Sequence, residues 1–342
     1  DIVACRTEKL GGHLEVCPTC GFKGGSYNSC RNRHCPKCQL LKQELWAEAQ
    51  EALLLPTLYF QIVFTIPGEL HAFFRRAAEI CLKLLFEAVS ETLTEVAKTK
   101  LKAEIGFTAV LHTWSQILRF HPHIHCLVPA GGLALDHSKW IPTRRTFFLP
   151  IGALRKVFRG KLLDKIEQAL RGGEIPGDLA KGLDLLKRAS KKKWNVYAKP
   201  PLGGPQHVVR YLSRYVHRIA ISTSRLLAYD GREVTFRYKD RADKNKVKPC
   251  TLSGLDFCRR FLQHVLPARF VRIRHYGLLA ARRRKDLALC RQLLGAAPAQ
   301  KPDKDASWVA AFERLFGQNP LLCPACKTGV LEIRRVLAPQ RL

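Results

Sequence analysis

The stretch LRFHPHIHCLVPAGG, residues 118–132, places three histidines at alternate positions in an apolar run that ends in a Gly-Gly pair. This pattern is typical of a buried β-strand. Alternate residues of a strand point to the same face of a sheet, so His123 and His125 share a face, with Ile124 opposite. His121 has the same parity, but Pro122 is expected to bend the chain before it reaches that face. Two imidazoles on one face predict a divalent-metal site, provided that a third ligand joins them.

The preceding segment, FTAVLHTWSQILRF at residues 107–120, predicts the neighbouring strand, on which His112, Trp114 and Gln116 share one face. In an antiparallel pair Gln116 would lie nearest the turn. We therefore predict Gln116 as the third metal ligand and His112 as the alternative. Such a set leaves coordination positions open for a phosphate oxygen, as a Lewis-acid site requires. The competing interpretation is a group of core histidines that are satisfied by hydrogen bonds.

A later segment, GGPQHVVRYLSRYVHRIAIS at residues 203–222, predicts an amphipathic helix that begins after a Gly-Pro pair. Tyr211 and Tyr215 are four residues apart, so their hydroxyls lie one turn apart on one face of this helix. Tyrosine can act as a covalent nucleophile, and we predict both residues as catalytic. The competing interpretation is a pair of ordinary tyrosines at the edge of a core.

The charge of the chain points to a polyanionic partner. Its 342 residues include 58 Lys and Arg against 28 Asp and Glu, a formal net charge of +30. Nucleic acid is the leading candidate, because each neutralised phosphate releases counterions, and an anionic membrane surface is the alternative. No apolar run is long enough for a membrane span and no secretion signal begins the chain. The chain starts at Asp1 and lacks methionine, so we expect the natural N-terminus to lie upstream.

Most cysteines of the chain lie near its two ends, in a pattern typical of metal binding in a reducing compartment. Two C-x-x-C pairs that are separated by 14 residues predict one tetrahedral zinc site, formed by Cys17, Cys20, Cys35 and Cys38. A second, interleaved zinc site is predicted from Cys5, His13, Cys30 and His34. Near the end of the chain, Cys323 and Cys326 form a half-site for which the sequence offers no obvious partner pair. We expect zinc to fold the cysteine-rich N-terminal module, which would then serve as a DNA-binding platform.

The middle of the chain mixes strands and helices without regular βαβ alternation. Strands are predicted at residues 57–67, 107–120 and 123–131, and a hairpin around Asp230-Gly231. We therefore predict an α+β fold with a mostly antiparallel sheet. The predicted domains are a zinc-binding module at residues 1–45, a main domain at residues 46–294, and a linker with a C-terminal tail at residues 295–342.

Several of these motifs resemble one family. HPHIHCLVP resembles the His-hydrophobic-His motif of HUH endonucleases, and YLSRYVHRIAIS resembles the paired-tyrosine motif of the rolling-circle transposases of the insertion-sequence-91 family. YNSCRNRHCPKCQ is similar to the N-terminal zinc domain of that family, and FLQHVLPARFVRIRHYGLLA to its C-terminal block. The resemblance covers residues 5–294, with the motifs in the family's order.

This resemblance implies the HUH fold, a central antiparallel sheet flanked by helices. It also implies His123 and His125 as metal ligands, with Mg²⁺ or Mn²⁺ bound, and Tyr211 and Tyr215 as nucleophiles that form a 5′-phosphotyrosine link with single-stranded DNA. The expected location is the bacterial cytoplasm, at the nucleoid. Two alternatives remain open: a non-catalytic zinc-dependent DNA-binding protein, such as a decayed transposase, and a relaxase or replication initiator with the same chemistry.

Contacts with DNA phosphates are expected from basic residues near these motifs. They are Arg31, Arg33, Lys37, Lys191, Lys192, Lys193, Arg210, Arg214 and Arg218. Trp194 and Tyr197 follow the lysine tract and are predicted to stack on unpaired bases.

Overall fold

The computed structural model describes residues 3–32, 35, 39–51, 53–144, 148–199, 220–240, 242–298 and 304–340. Within these residues the helices are α1 (Gln39–Glu51), α2 (His71–Arg76), α3 (Ala78–Lys100), α4 (Ile151–Arg171), α5 (Leu179–Ser190), α6 (Gly254–Leu262), α7 (Arg284–Leu293) and α8 (Lys304–Phe316). The strands are β1 (Gly12–Val16), β2 (Lys23–Tyr27), β3 (Tyr59–Thr65), β4 (Ala103–Glu104), β5 (Gly106–Trp114), β6 (Phe120–Pro129), β7 (Gly131–Ala134), β8 (Trp140–Pro142), β9 (Asn195–Lys199), β10 (Leu226–Tyr229), β11 (Glu233–Asp240), β12 (Lys246–Ser253), β13 (Ile273–Gly277) and β14 (Glu332–Leu337).

The chain divides into two compact units. The terminal unit contains the described residues up to Leu53, residues 220–223 and residues 304–340. The central unit contains the described residues from Leu54 to Lys199 and from Ser224 to residue 298.

The terminal unit is built from both ends of the sequence. Its antiparallel sheet has the strand order β14-β1-β2, with Gly12 of β1 opposite Leu337 of β14 on one side and Tyr27 of β2 on the other. Helices α1 and α8 pack together, and Arg314 of α8 forms ion pairs with Glu44 and Glu48 of α1. The region predicted as a linker and tail therefore supplies a helix and a strand of this unit.

The central unit is organised around a five-stranded sheet with the order β13-β5-β6-β3-β9. Every neighbouring pair of strands in this sheet is antiparallel. The three strands predicted from β-branched and aromatic runs correspond to β3, β5 and β6, and the hairpin at Asp230-Gly231 joins β10 to β11. The α+β class with a central antiparallel sheet is thus confirmed.

The two faces of this sheet differ in polarity because its strands alternate. On one face Phe64 of β3 packs edge-on against Phe158 of α4, with ring centroids 5.0 Å apart. Ile124 and Cys126 of β6 are fully buried in the same core, which α3 and α4 cover. Burial of apolar surface stabilises the fold by about 25 cal/mol per Å². The opposite face carries the side chains of His123 and His125.

Candidate functional site

Three histidines converge on the polar face of the central sheet. The register of β5 and β6 places His112 directly opposite His123, and His125 lies two residues further along the same face. One ring nitrogen from each of the three residues lies within 4.8 Å of the other two. The ring centroid of His125 lies 4.5 Å from that of His112 and 4.9 Å from that of His123. Three imidazoles at this spacing form a donor set that suits a divalent transition metal.

Gln116, the predicted third ligand, lies beyond the end of β5. Its side-chain Oε1 lies 3.4 Å from the backbone N–H of Lys239, from which it accepts a hydrogen bond. A register shift between His112 and Trp114 precedes the turn at residues 115–119, so Gln116 belongs to that turn and not to a regular strand pair. The alternative ligand, His112, lies on β5 directly opposite His123. It is 2 % exposed, and its ring stacks on Trp114 at a centroid distance of 4.7 Å.

Hydrogen bonds orient two of the three rings. Nδ1 of His123 lies 2.6 Å from the backbone oxygen of His121, which can only accept, so Nδ1 donates a proton and Nε2 keeps its lone pair. The side-chain amide of Gln61 on β3 lies 2.8 Å from Nδ1 of His125. A half-turn of this amide exchanges its NH₂ for its oxygen, and the oxygen would accept from Nδ1–H and leave Nε2 of His125 for a metal. Sequence reasoning missed Gln61, although it is the one polar residue between Tyr59 and Phe64.

The turn between β5 and β6 is anchored by donors from elsewhere in the central unit. Three successive backbone carbonyls of the turn each accept a hydrogen bond from a side chain. The pairs are Arg225 to Gln116, Arg260 to Ile117 at 3.2 Å, and His264 to Leu118 at 3.1 Å. These bonds hold the end of the hairpin whose strands present His112 and His123.

His264 is a structural histidine. Its Nε2 donates to the carbonyl of Leu118, and its Nδ1 lies 3.2 Å from the Thr113 hydroxyl, from which it accepts. Burial lowers the pKa of His264 to about 4, so the ring is neutral at pH 7. Both nitrogens are thus occupied by protein groups.

The lysine tract lies at the end of α5, where Lys191, Lys192 and Lys193 are exposed. Lys192 and Lys193 line a cleft of about 330 Å³ together with residues from the first turns of α4. Lys192 also forms an ion pair with Glu69 at 3.1 Å. The basic lining of the cleft comes from Arg155, Lys156, Arg159, Lys192 and Lys193. A concentration of cations of this kind favours a phosphate ligand. Arg31, in the terminal unit, is also exposed.

The two predicted stacking residues have different environments. Trp194 is 1 % exposed, packs edge-on against Phe158 and donates from Nε1 to the carbonyl of Ala189 at 3.0 Å. The prediction that Trp194 stacks on bases is therefore wrong, because its indole is part of the core. Tyr197 is 51 % exposed and lies on β9 in the same cross-strand row as His125, through Val63 of β3. Its ring remains available for stacking.

Several predicted site residues lie outside the described residues. These are Tyr211, Tyr215, Arg210, Arg214 and Arg218 of the tyrosine segment, and Arg33, His34, Lys37 and Cys38 of the zinc module.

The cysteines of the terminal unit form two groups that differ from the predicted ones. One group joins the first C-x-x-C pair to the last, as Cys17, Cys20, Cys323 and Cys326, and the other contains Cys5, Cys30 and Cys35. Cys35 therefore lies apart from the pair with which it was predicted to share an ion, and His13 belongs to neither group of described residues. The hydroxyl of Thr328 and the backbone N–H of Gly329 donate to the sulfur of Cys326 and lower its pKa to about 5. Thiolates in such groups are the ligands that zinc prefers.

None of the helices among the described residues is long and apolar enough to cross a bilayer.

Two known protein families match separate segments of the chain. A family described as "Putative transposase" matches residues 106–286, which include the three histidines and most of the central sheet, and a family described as "Transposase zinc-binding domain" matches residues 1–66. The chain therefore contains a zinc-binding domain.

Two curated relatives extend the likeness along the chain. A protein of Sinorhizobium fredii described as "Putative transposase y4qJ" is 43 % identical over 342 residues, covering 96 % of this chain and 86 % of its own. The transposase for insertion sequence element IS801 of Pseudomonas savastanoi pv. phaseolicola is 29 % identical, covering 82 % of this chain and 69 % of its own.

Among solved structures, the conjugative relaxase TrwC in complex with oriT DNA is 12 % identical, covers 46 % of this chain and 70 % of its own, and has a TM-score of 0.26. A score this low carries no argument about function. The family match over more than half of the chain and the similarity to the Sinorhizobium relative establish the family. The chain belongs to the insertion-sequence-91 family of transposases.

Proposed function

We propose that this transposase cleaves and rejoins single-stranded DNA in a rolling-circle reaction, through a 5′-phosphotyrosine intermediate. The observation that carries the proposal is the convergence of His112, His123 and His125, whose ring nitrogens lie within 4.8 Å of one another on the polar face of the sheet. Three neutral donors leave coordination positions for substrate oxygens, which a purely structural metal site would not.

A divalent cation at this site would polarise the scissile phosphate and offset the charge that develops on it. His112, His123 and His125 would hold the ion, with His121 and Gln61 fixing two of the rings. With His112 as the third ligand instead of the predicted Gln116, all three ligand atoms are nitrogens. Mn²⁺ accepts imidazole more readily than Mg²⁺, which prefers oxygen ligands, so we propose Mn²⁺ as the better of the two expected cations.

Tyr211 or Tyr215 would attack the phosphorus atom in line, as the sequence motif implies. The tyrosine oxygen forms a bond to phosphorus as the bond to the 3′ oxygen breaks, which leaves a 5′-phosphotyrosine and a free 3′-OH. This link conserves the energy of the phosphodiester bond, so a 3′-OH can later attack it and join strands without ATP. The second tyrosine could cleave the target strand.

The basic surfaces would position the DNA. The exposed lysines at residues 191–193 and the cleft beside them would bind backbone phosphates, and Tyr197 would stack on a base near the histidine cluster. Arg31, with Arg33 and Lys37, would contribute from the zinc-binding module at residues 1–45, and Arg210, Arg214 and Arg218 from the main domain at residues 46–294. The net charge of +30 favours rapid, salt-dependent association with DNA.

A covalent-adduct assay tests the proposal. The protein is incubated with Mn²⁺ and single-stranded oligonucleotides that together cover both strands of the DNA flanking its gene, and adducts are detected by denaturing gel electrophoresis. We expect an adduct in the wild type and none in the double variant Tyr211→Phe with Tyr215→Phe. The exposed Tyr229 provides the matched control, since Tyr229→Phe should retain the adduct.

The histidine assignment is tested in the same assay. His123→Ala with His125→Ala should abolish the adduct at any Mn²⁺ concentration, whereas Gln116→Ala should not. An adduct that persists in the histidine variant, or in the tyrosine double variant, contradicts the proposal. A wild type that binds the DNA yet forms no adduct would be the non-catalytic DNA-binding protein of the alternative interpretation.

A further inference from the structure

The C-terminal motif CPACK, residues 323–327, has no role in the proposed cleavage reaction. It lies far outside the matched zinc-binding domain, which ends at residue 66. We propose that Cys323 and Cys326 complete a four-cysteine zinc site with Cys17 and Cys20, so that one ion ties the two ends of the chain together. The proposal does not depend on DNA cleavage.

All four sulfur atoms lie within 4.8 Å of one another, and two of the distances between them match the edge of a tetrahedral zinc site. Sγ of Cys17 lies 3.8 Å from Sγ of Cys326, and Sγ of Cys20 lies 3.7 Å from Sγ of Cys323. Four thiolates at about 2.3 Å from a zinc ion stand about 3.8 Å apart, the edge length of the tetrahedron. A disulfide would require about 2.05 Å. The close pairs also run between the two motifs, so each motif supplies two corners of one tetrahedron.

The two motifs fold into the same turn. In CPTCG at residues 17–21 and in CPACK, the residue after the second cysteine donates its N–H to the carbonyl of the first cysteine, at 2.9 Å and 2.8 Å. That residue has a positive φ in both turns, 73° at Gly21 and 59° at Lys327. A lysine in this conformation is strained, and its surroundings must offset that strain. The two C-x-x-C motifs therefore present their cysteines in the same way, with the ligand spacing that is typical of structural zinc sites.

Gly329 shows how closely the C-terminal turn approaches the N-terminal one. A Cβ at this position would lie 2.4 Å from Sγ of Cys17 and 2.7 Å from Oγ1 of Thr19, so a side chain does not fit. The backbone N–H of Gly329 lies 3.3 Å from Sγ of Cys326 and donates to it, which stabilises the thiolate form. Beyond this turn the chain continues into β14, which pairs with β1.

The site therefore has a structural consequence. The zinc ion and the β14-β1 pairing would hold the C-terminal strand on the sheet of the terminal unit, across a separation of 303 residues between Cys20 and Cys323. Loss of the ion should release the C-terminal strand, because β14 has mostly exposed side chains and little apolar burial of its own.

Zinc content of the purified full chain tests this proposal. The two cysteine groups predict two zinc ions per chain in the wild type, measured by inductively coupled plasma mass spectrometry. Cys323→Ser with Cys326→Ser should lose one ion, and so should Cys17→Ser with Cys20→Ser. The quadruple variant should lose no more than one, because both pairs serve the same ion. The control is Cys250→Ser with Cys258→Ser, which lie in the central unit outside both groups and should keep two.

The proposal is overturned if the variant Cys323→Ser with Cys326→Ser keeps the zinc content of the wild type. It is also overturned if each double variant loses one ion and the quadruple variant loses two. If the serine variants fail to fold, cobalt spectroscopy provides a second test. Cys326→His keeps a metal ligand, so the Co²⁺-loaded variant should remain folded and its d–d absorption should shift to shorter wavelength. An unchanged Co²⁺ spectrum would show that Cys326 is not a ligand.

Discussion

Acidification is expected to weaken the central unit through His264, which anchors the turn that follows His112. The ring is buried and neutral, and its pKa is lowered to about 4 by that burial. In the unfolded chain a histidine has a pKa of about 6.5. The folded pKa is lowered, so the unfolded chain takes up the proton at higher pH. The stability that neutral His264 contributes is therefore fully present above about pH 6.5 and is lost as the pH falls towards 4.

The size of the effect follows from this difference in pKa. The free energy of unfolding attributable to His264 should fall by about 1 kcal/mol between pH 7 and pH 5.5, and by about 3 kcal/mol when the titration is complete. Protonation would also place a second donor against Thr113, whose hydroxyl now donates to Nδ1 of His264. That hydroxyl would have to rotate before it could accept.

Denaturant unfolding at 25 °C measures the effect in the wild type and in His264→Asn, which cannot titrate. Other histidines with a lowered pKa, such as the half-buried His71, are the same in both proteins, so their contributions cancel in the comparison. The wild type should be more stable than the variant at pH 7, and this advantage should shrink by about 1 kcal/mol at pH 5.5. An NMR titration of the His264 ring should give a pKa near 4 in the folded protein. An equal difference in stability at the two pH values, or a His264 ring that titrates near 6.5, would contradict this prediction.

Three further outcomes follow from the geometry of the site. His112→Ala should weaken Mn²⁺ binding at least about tenfold, while Gln116→Ala should leave it unchanged, as measured by isothermal titration calorimetry. The reverse result would show that Gln116, as first predicted, is the third ligand. Gln61→Leu should weaken Mn²⁺ binding by about 10- to 100-fold and Gln61→Glu should preserve it, measured by electron paramagnetic resonance; equal affinities would show that Gln61 does not orient His125. Trp194→Ala should cost about 3–5 kcal/mol of stability, whereas Tyr197→Ala should leave stability unchanged and weaken binding of an oligo-dT strand by about 1–3 kcal/mol, measured by fluorescence anisotropy; the opposite pattern would place the base-stacking surface at Trp194.

The histidine site shows where strand patterns stop being informative. Period-two alternation was enough to place His123 and His125 on one face, because parity depends only on the strand being extended. The third residue depends on the register between two strands and on where the pairing ends. The register shift after His112 leaves Gln116 in the turn, and nothing in the local sequence specified that shift.

The cysteine groups show a second limit. The motif Cys-Pro-x-Cys occurs at residues 17, 35 and 323, and closeness in sequence favoured pairing of the first two. In the structure the first pairs with the third, because β14 returns to the free edge of β1 and brings its neighbouring turn along. A weak, exposed strand at the end of the chain gives little sequence signal. Trp194 was misassigned for a related reason: its position beside three lysines did not reveal that it faces the core.

The central claim is that His112, His123 and His125 bind the catalytic cation. It is tested most directly by anomalous diffraction from a crystal of the full chain with Mn²⁺, recorded on both sides of the manganese absorption edge so that zinc bound by cysteines is distinguished. We expect a manganese peak within bonding distance of one nitrogen from each of the three histidines. A peak coordinated by Gln116 in place of His112, or no manganese at the histidines, would contradict it.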